Sequence, residues 1–192
     1  MLKKLSVLAF CAVSSFAMHN AEININDTDL EIGLNFDMGQ FNDAIKPETM
    51  FLGAKFLNGD ESNSDVTENL DPFYEVNFLS MHAIGNQGMS LGMGVKFNHT
   101  QDFSSLPLGL EAAYKLPIQN LVPMRLHGAL YFAPKSLAFS DGDNYLEYRI
   151  DYNIEIIPHG NLVLGYRHIE TNYQVADFNY NSSVYFGFKI GF

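Results

Sequence analysis

Apolar and polar residues alternate along this chain in short runs that polar turns separate. Over residues 184–192 every second residue is apolar, and the intervening residues are Tyr185, Gly187, Lys189 and Gly191. Successive side chains of a β-strand point to opposite faces, so this run predicts a strand with one apolar face and one small or polar face. Sustained helical periodicity is absent, which indicates an all-β protein.

The same alternation predicts ten strands. A shift of the apolar phase at Leu79 predicts a β-bulge there, and the region 38–49, with Gly39 and Pro47, reads as a connection. Nothing in the pattern provides helices to cover the apolar strand faces. The predicted strands span residues 22–26, 30–37, 50–58, 73–84, 89–97, 106–114, 124–132, 146–156, 162–171 and 184–192.

The apolar strand at the C-terminus favours a membrane barrel over a soluble sheet. At the edge of a soluble sheet it would invite aggregation, whereas in a membrane its apolar face meets lipid and its edge can pair with the first strand. We therefore predict a closed antiparallel transmembrane β-barrel of ten strands, with eight as the alternative. An aromatic last residue also resembles the signal that bacterial outer-membrane barrels present to their assembly machinery. The candidate signal residues are Tyr185, Phe188, Ile190 and Phe192.

Connection lengths suggest an orientation, since such barrels have short periplasmic turns and longer outside loops. The connections at 59–71, 133–144 and 172–183 are long and are predicted to lie outside. Those at 85–88 and 157–161 are short and are predicted to face the periplasm. The connection at 38–49 is an exception, because the strand count places it on the periplasmic side although it is long.

The N-terminus has the features of a secretory signal peptide. Lys3 and Lys4 precede an apolar stretch at 5–13, and small residues lead to Ala17. We predict a signal peptide over residues 1–17 and one barrel domain over residues 18–192, with cleavage after Ala21 as the alternative. The single cysteine, Cys11, lies in the predicted signal, so the mature chain would have no disulfide.

Composition narrows the class further. The chain of 192 residues has 11 Lys and Arg against 22 Asp and Glu, a net charge of -11, which argues against nucleic-acid binding. No apolar run approaches the roughly 18 residues of a spanning helix. We expect a monomer in the bacterial outer membrane, in contact with membrane lipid and lipopolysaccharide.

Charged residues in the predicted strands fall on the face opposite the apolar one. Placing Arg or Lys toward lipid at mid-depth costs roughly 2–4 kcal/mol, and a barrel of eight to ten strands is barely wider than its side chains. We expect these residues to fill the lumen with ion pairs, with Arg149, Asp151 and Arg167 in contact; a narrow pore is the alternative. The set is Lys96, Glu111, Arg125, His127, Glu147, Arg149, Asp151, Arg167 and Lys189.

An acidic connection and four possible catalytic residues remain. The connection carries Asp60, Glu61, Asp65, Glu68 and Asp71. It could recruit divalent cations at a lipopolysaccharide surface but lacks the spacing of a calcium loop, so we expect a solvated loop with no bound metal or cofactor. His127, His168, Glu170 and Ser182 are the candidates for lipid-modifying catalysis. The sequence indicates no nucleophile–base pair among them, so we do not expect an enzyme.

Three stretches near the C-terminus resemble the YfaZ family of bacterial outer-membrane proteins: residues 130–137, 164–169 and 184–192. The resemblance implies a small outer-membrane barrel of no established activity and supplies no catalytic residues. We expect a structural or surface-interaction role. A narrow passive channel is the alternative, and a lipid-modifying enzyme is the third hypothesis.

Overall fold

A computed structural model describes residues 19–65, 70–101, 103–118, 122–140, 142–173 and 177–192. The predicted signal peptide lies outside these ranges. No helix within them is long and apolar enough to cross a membrane. The strands are β1 (Asn20–Ile25), β2 (Leu30–Asp37), β3 (Met50–Asn58), β4 (Phe73–Ile84), β5 (Met89–His99), β6 (Ser104–Ser105), β7 (Leu108–Lys115), β8 (Met124–Ala133), β9 (Ala138–Phe139), β10 (Gly142–Ile157), β11 (Gly160–Tyr173) and β12 (Asp177–Gly191).

The ten long strands form a closed antiparallel barrel. Their order is β4-β3-β2-β1-β12-β11-β10-β8-β7-β5, and β5 pairs with β4 to complete the ring. β1 pairs with β12 from Asn20 opposite Gly191 to Ile25 opposite Phe186. The prediction of ten strands closed by the first and last is confirmed, and the eight-stranded alternative is excluded. We call the end with Asn20 and Gly191 the terminal end and the opposite end the loop end.

The last strand is much longer than the sequence pattern predicted. β12 begins at Asp177 and β11 continues to Tyr173, so the long polar loop predicted at 172–183 is wrong. Residues in this stretch are polar because several of them face the lumen: Asn181 and Ser183 are buried there. A register shift between Ile169 and Glu170 interrupts the β11–β12 pairing.

The bulge predicted at Leu79 is absent. β4 pairs with β3 and with β5 along residues 73–84 without a register shift. Leu79 and Met81 stay on the inner face, where they line a cavity. The change of apolar phase in β4 therefore indicates that its apolar residues near the terminal end face the inside of the barrel. It does not indicate a bulge in the strand.

The barrel has its apolar side chains outside and its charged side chains inside. On the outer face Met93 is 71% exposed, Val184 61% and Leu110 60%, whereas Glu31 and Arg167 are almost fully buried in the lumen. Water-soluble sheets have the opposite distribution. A continuous apolar outer surface of this kind is unfavourable in contact with water.

Candidate functional site

An apolar cluster fills the lumen at the loop end. Phe103 and Ala138 come from the connections after β5 and β8, which turn inward. The Phe103 and Tyr145 rings stack with centroids 5.9 Å apart, and the Phe73 and Tyr180 rings are 5.4 Å apart. The side chains of this loop-end cluster are buried between the strands at that end of the barrel. Its buried members are Leu57, Phe73, Phe103, Ala133, Ala138, Tyr145, Ile169 and Tyr180.

Glu31 joins two arginines in the middle of the lumen. Arg149 and Arg167 are direct cross-strand partners on β10 and β11, so their charges would repel. Glu31 reaches them from β2: its Oε1 lies 2.9 Å from Arg149 Nη1, and its Oε2 lies 2.5 Å from Arg149 Nη2. Arg167 Nη1 is 3.3 Å from the same Oε2. The carboxylate thus compensates both buried guanidinium groups and ties three strands together.

Lys96 forms the second charged contact of the lumen. Its Nζ lies 2.7 Å from Glu147 Oε1 and 3.0 Å from Glu75 Oε2, and it sits 4.1 Å above the centre of the Tyr131 ring. The Tyr145 hydroxyl donates to Glu147 at 2.9 Å. A cation between two carboxylates and an aromatic face has its charge compensated on every side, which a buried ammonium requires.

His127 lies between two carboxylates. Its Nε2 is 2.9 Å from Glu111 Oε2 and its Nδ1 is 3.1 Å from Asp151 Oδ2. Tyr131 donates to Glu111 at 2.6 Å, and the Tyr185 hydroxyl donates to Asp151. Because ionised carboxylates only accept hydrogen bonds, the geometry favours a proton on both ring nitrogens. The imidazole is thereby held as a positive group within the lumen.

Asp29, in the connection after β1, joins the lumen to the loop end. Its Oδ2 accepts from Arg167 Nη2 at 2.9 Å and from Asn181 at 3.0 Å, and its Oδ1 accepts from the backbone N–H of Asp60 at 2.9 Å. Burial raises the pKa of Asp29, but hydrogen bonds from Asn181 and Asn26 and the charge of Arg167 outweigh it and hold the pKa below its usual value. The ionised carboxylate fixes the start of the 59–65 segment.

A cavity of about 350 Å³ occupies the lumen from these ion pairs to the terminal end. Lys189 at its mouth lies 3.1 Å from Glu22. Lys115 and Arg125 are directly opposite each other on β7 and β8, and neither forms an ion pair with any described residue. The loop-end cluster lies on the other side of the ion pairs from this cavity.

The charged residues selected from the sequence divide into two groups. Arg125 and Lys189 line the mouth of the cavity. Of the expected contact of Arg149, Asp151 and Arg167, the two arginines lie directly opposite each other and meet at Glu31. Asp151 instead bonds His127 and Tyr185. The others belong to the ion-pair and hydrogen-bond contacts of the lumen: Lys96, Glu111, His127, Glu147, Arg149, Asp151 and Arg167.

Sequence reasoning missed the acidic partners from the first half of the chain. Glu31 alternates with Leu30 and Ile32, and Glu75 alternates with Tyr74 and Val76. The rule that selected the later lumen residues, a charge opposite an apolar face, would have selected these two as well. Asp29 lies outside a strand, so no alternation marks it.

Acidic residues of the connection at 60–71 accept hydrogen bonds that hold the connection in place, some from within it and some from β12. Asp60 caps a short 3-10 turn and accepts from Ser62 N at 2.9 Å, and that hydrogen bond lowers the pKa of Asp60. Asp65 accepts from Asn179 N at 3.1 Å, and the carbonyl of Asp71 accepts from the Tyr180 hydroxyl. Glu61 lies within the turn, and Glu68 is outside the described residues. No group of three or more His, Cys, Asp or Glu in the described part of the chain could hold a metal ion.

The proposed assembly residues do not share one face. Tyr185 points into the lumen and is buried, whereas Ile190 is 41% exposed. Phe188 pairs opposite Ile23 of β1. The Phe192 backbone N–H donates to the His19 carbonyl at 2.8 Å, which joins the two ends of the barrel chain.

A closed ten-stranded barrel with apolar side chains outside and charged side chains inside defines the class of this protein as a small β-barrel. A family model described as "YfaZ precursor" matches residues 2–192, so the chain belongs to the YfaZ family. The match confirms the resemblance seen in the C-terminal third and extends it to the first half. The precursor description implies a signal peptide and, with the barrel, an envelope protein. A comparison with curated proteins finds no match.

Proposed function

We propose that this protein is a small bacterial outer-membrane barrel that is closed to through-passage and has a structural or surface-interaction role. The observation that carries this proposal is the loop-end cluster, in which Phe103, Tyr145 and Tyr180 are buried across the lumen. A barrel whose centre is filled cannot exchange solutes, so its contribution lies in its outer wall and its loops.

The outer wall supports membrane placement. Every long strand carries apolar outward side chains, from Ile23 on β1 to Val184 and Phe186 on β12, and the most exposed of them are between a third and three quarters exposed. Such a surface is stable in lipid and unstable in water. On this basis we assign the loop end to the cell exterior, following the usual orientation of outer-membrane barrels, in which the termini are periplasmic.

The loops support a role at the surface. Asp29 fixes the acidic 59–65 segment, so its carboxylates are displayed from a rigid base. Acidic loops next to lipopolysaccharide can share its divalent cations, and we infer lipopolysaccharide as the neighbour of this segment. We infer that the protein binds no enzyme cofactor. We also infer a monomer, since the ring of β-strands leaves no open edge for pairing with a second copy.

The last strand supports recognition by the barrel assembly machinery. It carries the alternation ending in Phe192, and its pairing with β1 is the step that closes the ring. We expect Phe192→Ala to slow assembly in cells, measured as the fraction of newly made protein in the folded form. Assembly at the wild-type rate would contradict this part of the proposal.

Planar-bilayer recording of the purified protein tests the closed lumen. We expect no steady conductance, because apolar rings replace water at the loop end. The matched variant is Phe103→Ala with Tyr145→Ala, which removes the stacked pair and should produce measurable current. The variant also proves that the preparation inserts. Steady single-channel steps from the wild-type protein would contradict the proposal and favour the passive channel.

A further inference from the structure

A hydrogen-bonded serine, histidine and glutamate lie together on the outer face of the barrel. His168 on β11 is directly opposite Ser182 on β12, and its Nδ1 is 2.5 Å from Ser182 Oγ. The other ring nitrogen, Nε2, is 3.1 Å from Glu170 Oε2. The sequence did not indicate this pair, because the predicted β11–β12 loop contained Ser182 and the register of the two strands was unknown.

The carboxylate determines where the protons lie. An ionised Glu170 only accepts, so Nε2 of His168 carries the shared proton, and Nδ1 of the neutral ring is free to accept from the Ser182 hydroxyl. This is the order of groups that activates a serine nucleophile: nucleophile, base and a third group that orients the base. Asn179 Oδ1 lies 3.2 Å from Ser182 Oγ. In that orientation the amide oxygen accepts the Ser182 proton. With the amide rotated by 180°, Asn179 donates to Oγ instead, and the hydroxyl proton is available to His168.

The group lies at the border of the apolar belt. The Tyr148 ring stacks on His168 with centroids 4.8 Å apart, and Tyr166 is 6.0 Å from Tyr148. Toward the terminal end, the next outward side chain on β12 is Val184, which is 61% exposed. Aromatic residues at such a border mark the level of lipid head groups in membrane barrels. An ester carbonyl of a bound lipid would lie at about this depth.

We propose that Ser182, His168 and Glu170 form an esterase site for long-chain acyl esters of membrane lipids. Ser182 Oγ bonds to the ester carbonyl carbon while its proton passes to His168 Nδ1, and the alcohol leaves with that proton. Water then attacks the acyl-serine, His168 takes a proton from it and returns one to Ser182, and the fatty acid leaves. The sum is ester plus water to acid plus alcohol, and Glu170 keeps the ring oriented throughout. The proposal rests on the proposed membrane placement for its substrate.

The chain contains a matched comparison. His99 Nδ1 lies 2.9 Å from Ser104 Oγ, also near the loop end, and no described carboxylate contacts the other nitrogen of that ring. Ser104 thus has a neighbouring histidine but no orienting acid. If contact with any histidine were enough for reaction, both serines would react alike, whereas the proposed site requires Ser182 alone to be activated.

Labelling with a long-chain fluorophosphonate tests the site on the full-length protein in detergent micelles, where membrane placement has no influence. We expect the mass increment on Ser182 and none on Ser104. His168→Ala should slow labelling by about 100-fold or more, as loss of a general base does, while Ser104→Ala and His99→Ala leave it unchanged. Equal labelling of both serines, or no labelling of Ser182 in the wild-type protein, would overturn the proposal.

Two lipid arms identify the substrate. Protein is added to vesicles of phosphatidylethanolamine and phosphatidylglycerol, or to vesicles containing lipopolysaccharide, and released fatty acid is measured by mass spectrometry. Release in one arm, lost in Ser182→Ala, names the lipid. Labelling of Ser182 with no release in either arm overturns the lipid substrate. A folded band on an unheated gel accompanies every variant, so loss of structure is distinguished from loss of the nucleophile.

Discussion

Glu31 contacts both buried arginines of the lumen. Its two oxygens compensate Arg149 and Arg167, both of which are buried. Removing a single partner from a buried ion pair leaves an uncompensated buried charge. The resulting loss of stability is much larger than the net stabilisation that the intact pair contributes.

Glu31→Gln should therefore destabilise the folded barrel by about 3–5 kcal/mol. The free energy of unfolding in urea, measured in lipid vesicles, gives the value. Asp43→Asn is the control, since this exposed residue in the 38–49 connection undergoes the same change from carboxylate to amide and should stay within about 0.5 kcal/mol of wild type. Equal stability of the two variants would show that the arginines are compensated without Glu31.

Asp29 makes the 59–65 segment sensitive to acid. Because the pKa of the folded Asp29 lies below its unfolded value of 3.8, its stabilising contribution is present above that pH and is lost as pH falls through the lower, folded pKa. Hydrogen exchange of the Asp60 amide, corrected for its intrinsic rate, should accelerate over that range. The Gly191 amide, bonded to the His159 carbonyl at 2.7 Å, should not. Parallel behaviour of the two amides would contradict the role of Asp29.

At this scale, the sequence predicts which way a side chain points but not what it meets. The alternation on β10 placed Arg149 opposite the apolar face. Its partner comes from β2, 118 positions away in the chain. The two residues come together only when the strands close into a ring. The stagger of the strands then determines which residues of β2 face which residues of β10 across the lumen.

Among the elements, β2, β3 and β4 begin and end where the sequence predicts, because Gly, Pro and acidic residues interrupt the alternation on both sides. β12 does not. Five of its first seven residues are polar, and a largely polar stretch reads as a loop unless one knows that the inner face of the sheet is charged. Near the rim of a barrel with a polar lumen, the outer face of a strand can be polar as well. The alternation then disappears, and the sequence pattern underestimates the length of the strand.

The long 38–49 connection shows how an exception to the loop-length rule is stabilised. It lies at the terminal end, as the strand count requires. The buried Asp37 carboxylate accepts from the N–H groups of Gly39 at 2.9 Å and Glu48 at 2.7 Å, one at each end of the segment. One side chain thus holds both ends of a connection whose length alone would have placed it outside.

Close packing of β7 against Tyr131 gives a prediction at the element scale. A Cβ at Gly109 would overlap the Tyr131 ring and the Leu130 carbonyl, whereas at Gly128 the nearest atom is the Arg149 carbonyl oxygen at 3.9 Å. Gly109→Ala should lower the free energy of unfolding by about 1–3 kcal/mol, as overpacking does, while Gly128→Ala should be nearly neutral. The two urea midpoints, compared at the same lipid composition, measure the difference. Coincident midpoints would mean that Tyr131 moves aside freely.

For the whole molecule, the reversed distribution of apolar and charged residues was predictable and the loop-end cluster was not. Ten alternating runs with no helices allow few folds other than a barrel. Phe103 and Ala138, however, come from connections that read as polar: Phe103 has polar neighbours on both sides, and Ala138 lies in an apolar run of three residues, 137–139. Neither residue belongs to a periodic pattern, so the sequence does not predict that its side chain turns inward. That depends on the space that the closed ring leaves at the loop end.

Membrane fractionation followed by electrophoresis of unheated and heated samples tests the central claim, a closed barrel in the outer membrane, most directly. We expect the protein in the outer-membrane fraction, and we expect the unheated sample to migrate as a compact folded species, distinct from the heated one. Recovery from the soluble periplasmic fraction, with identical migration before and after heating, would contradict it.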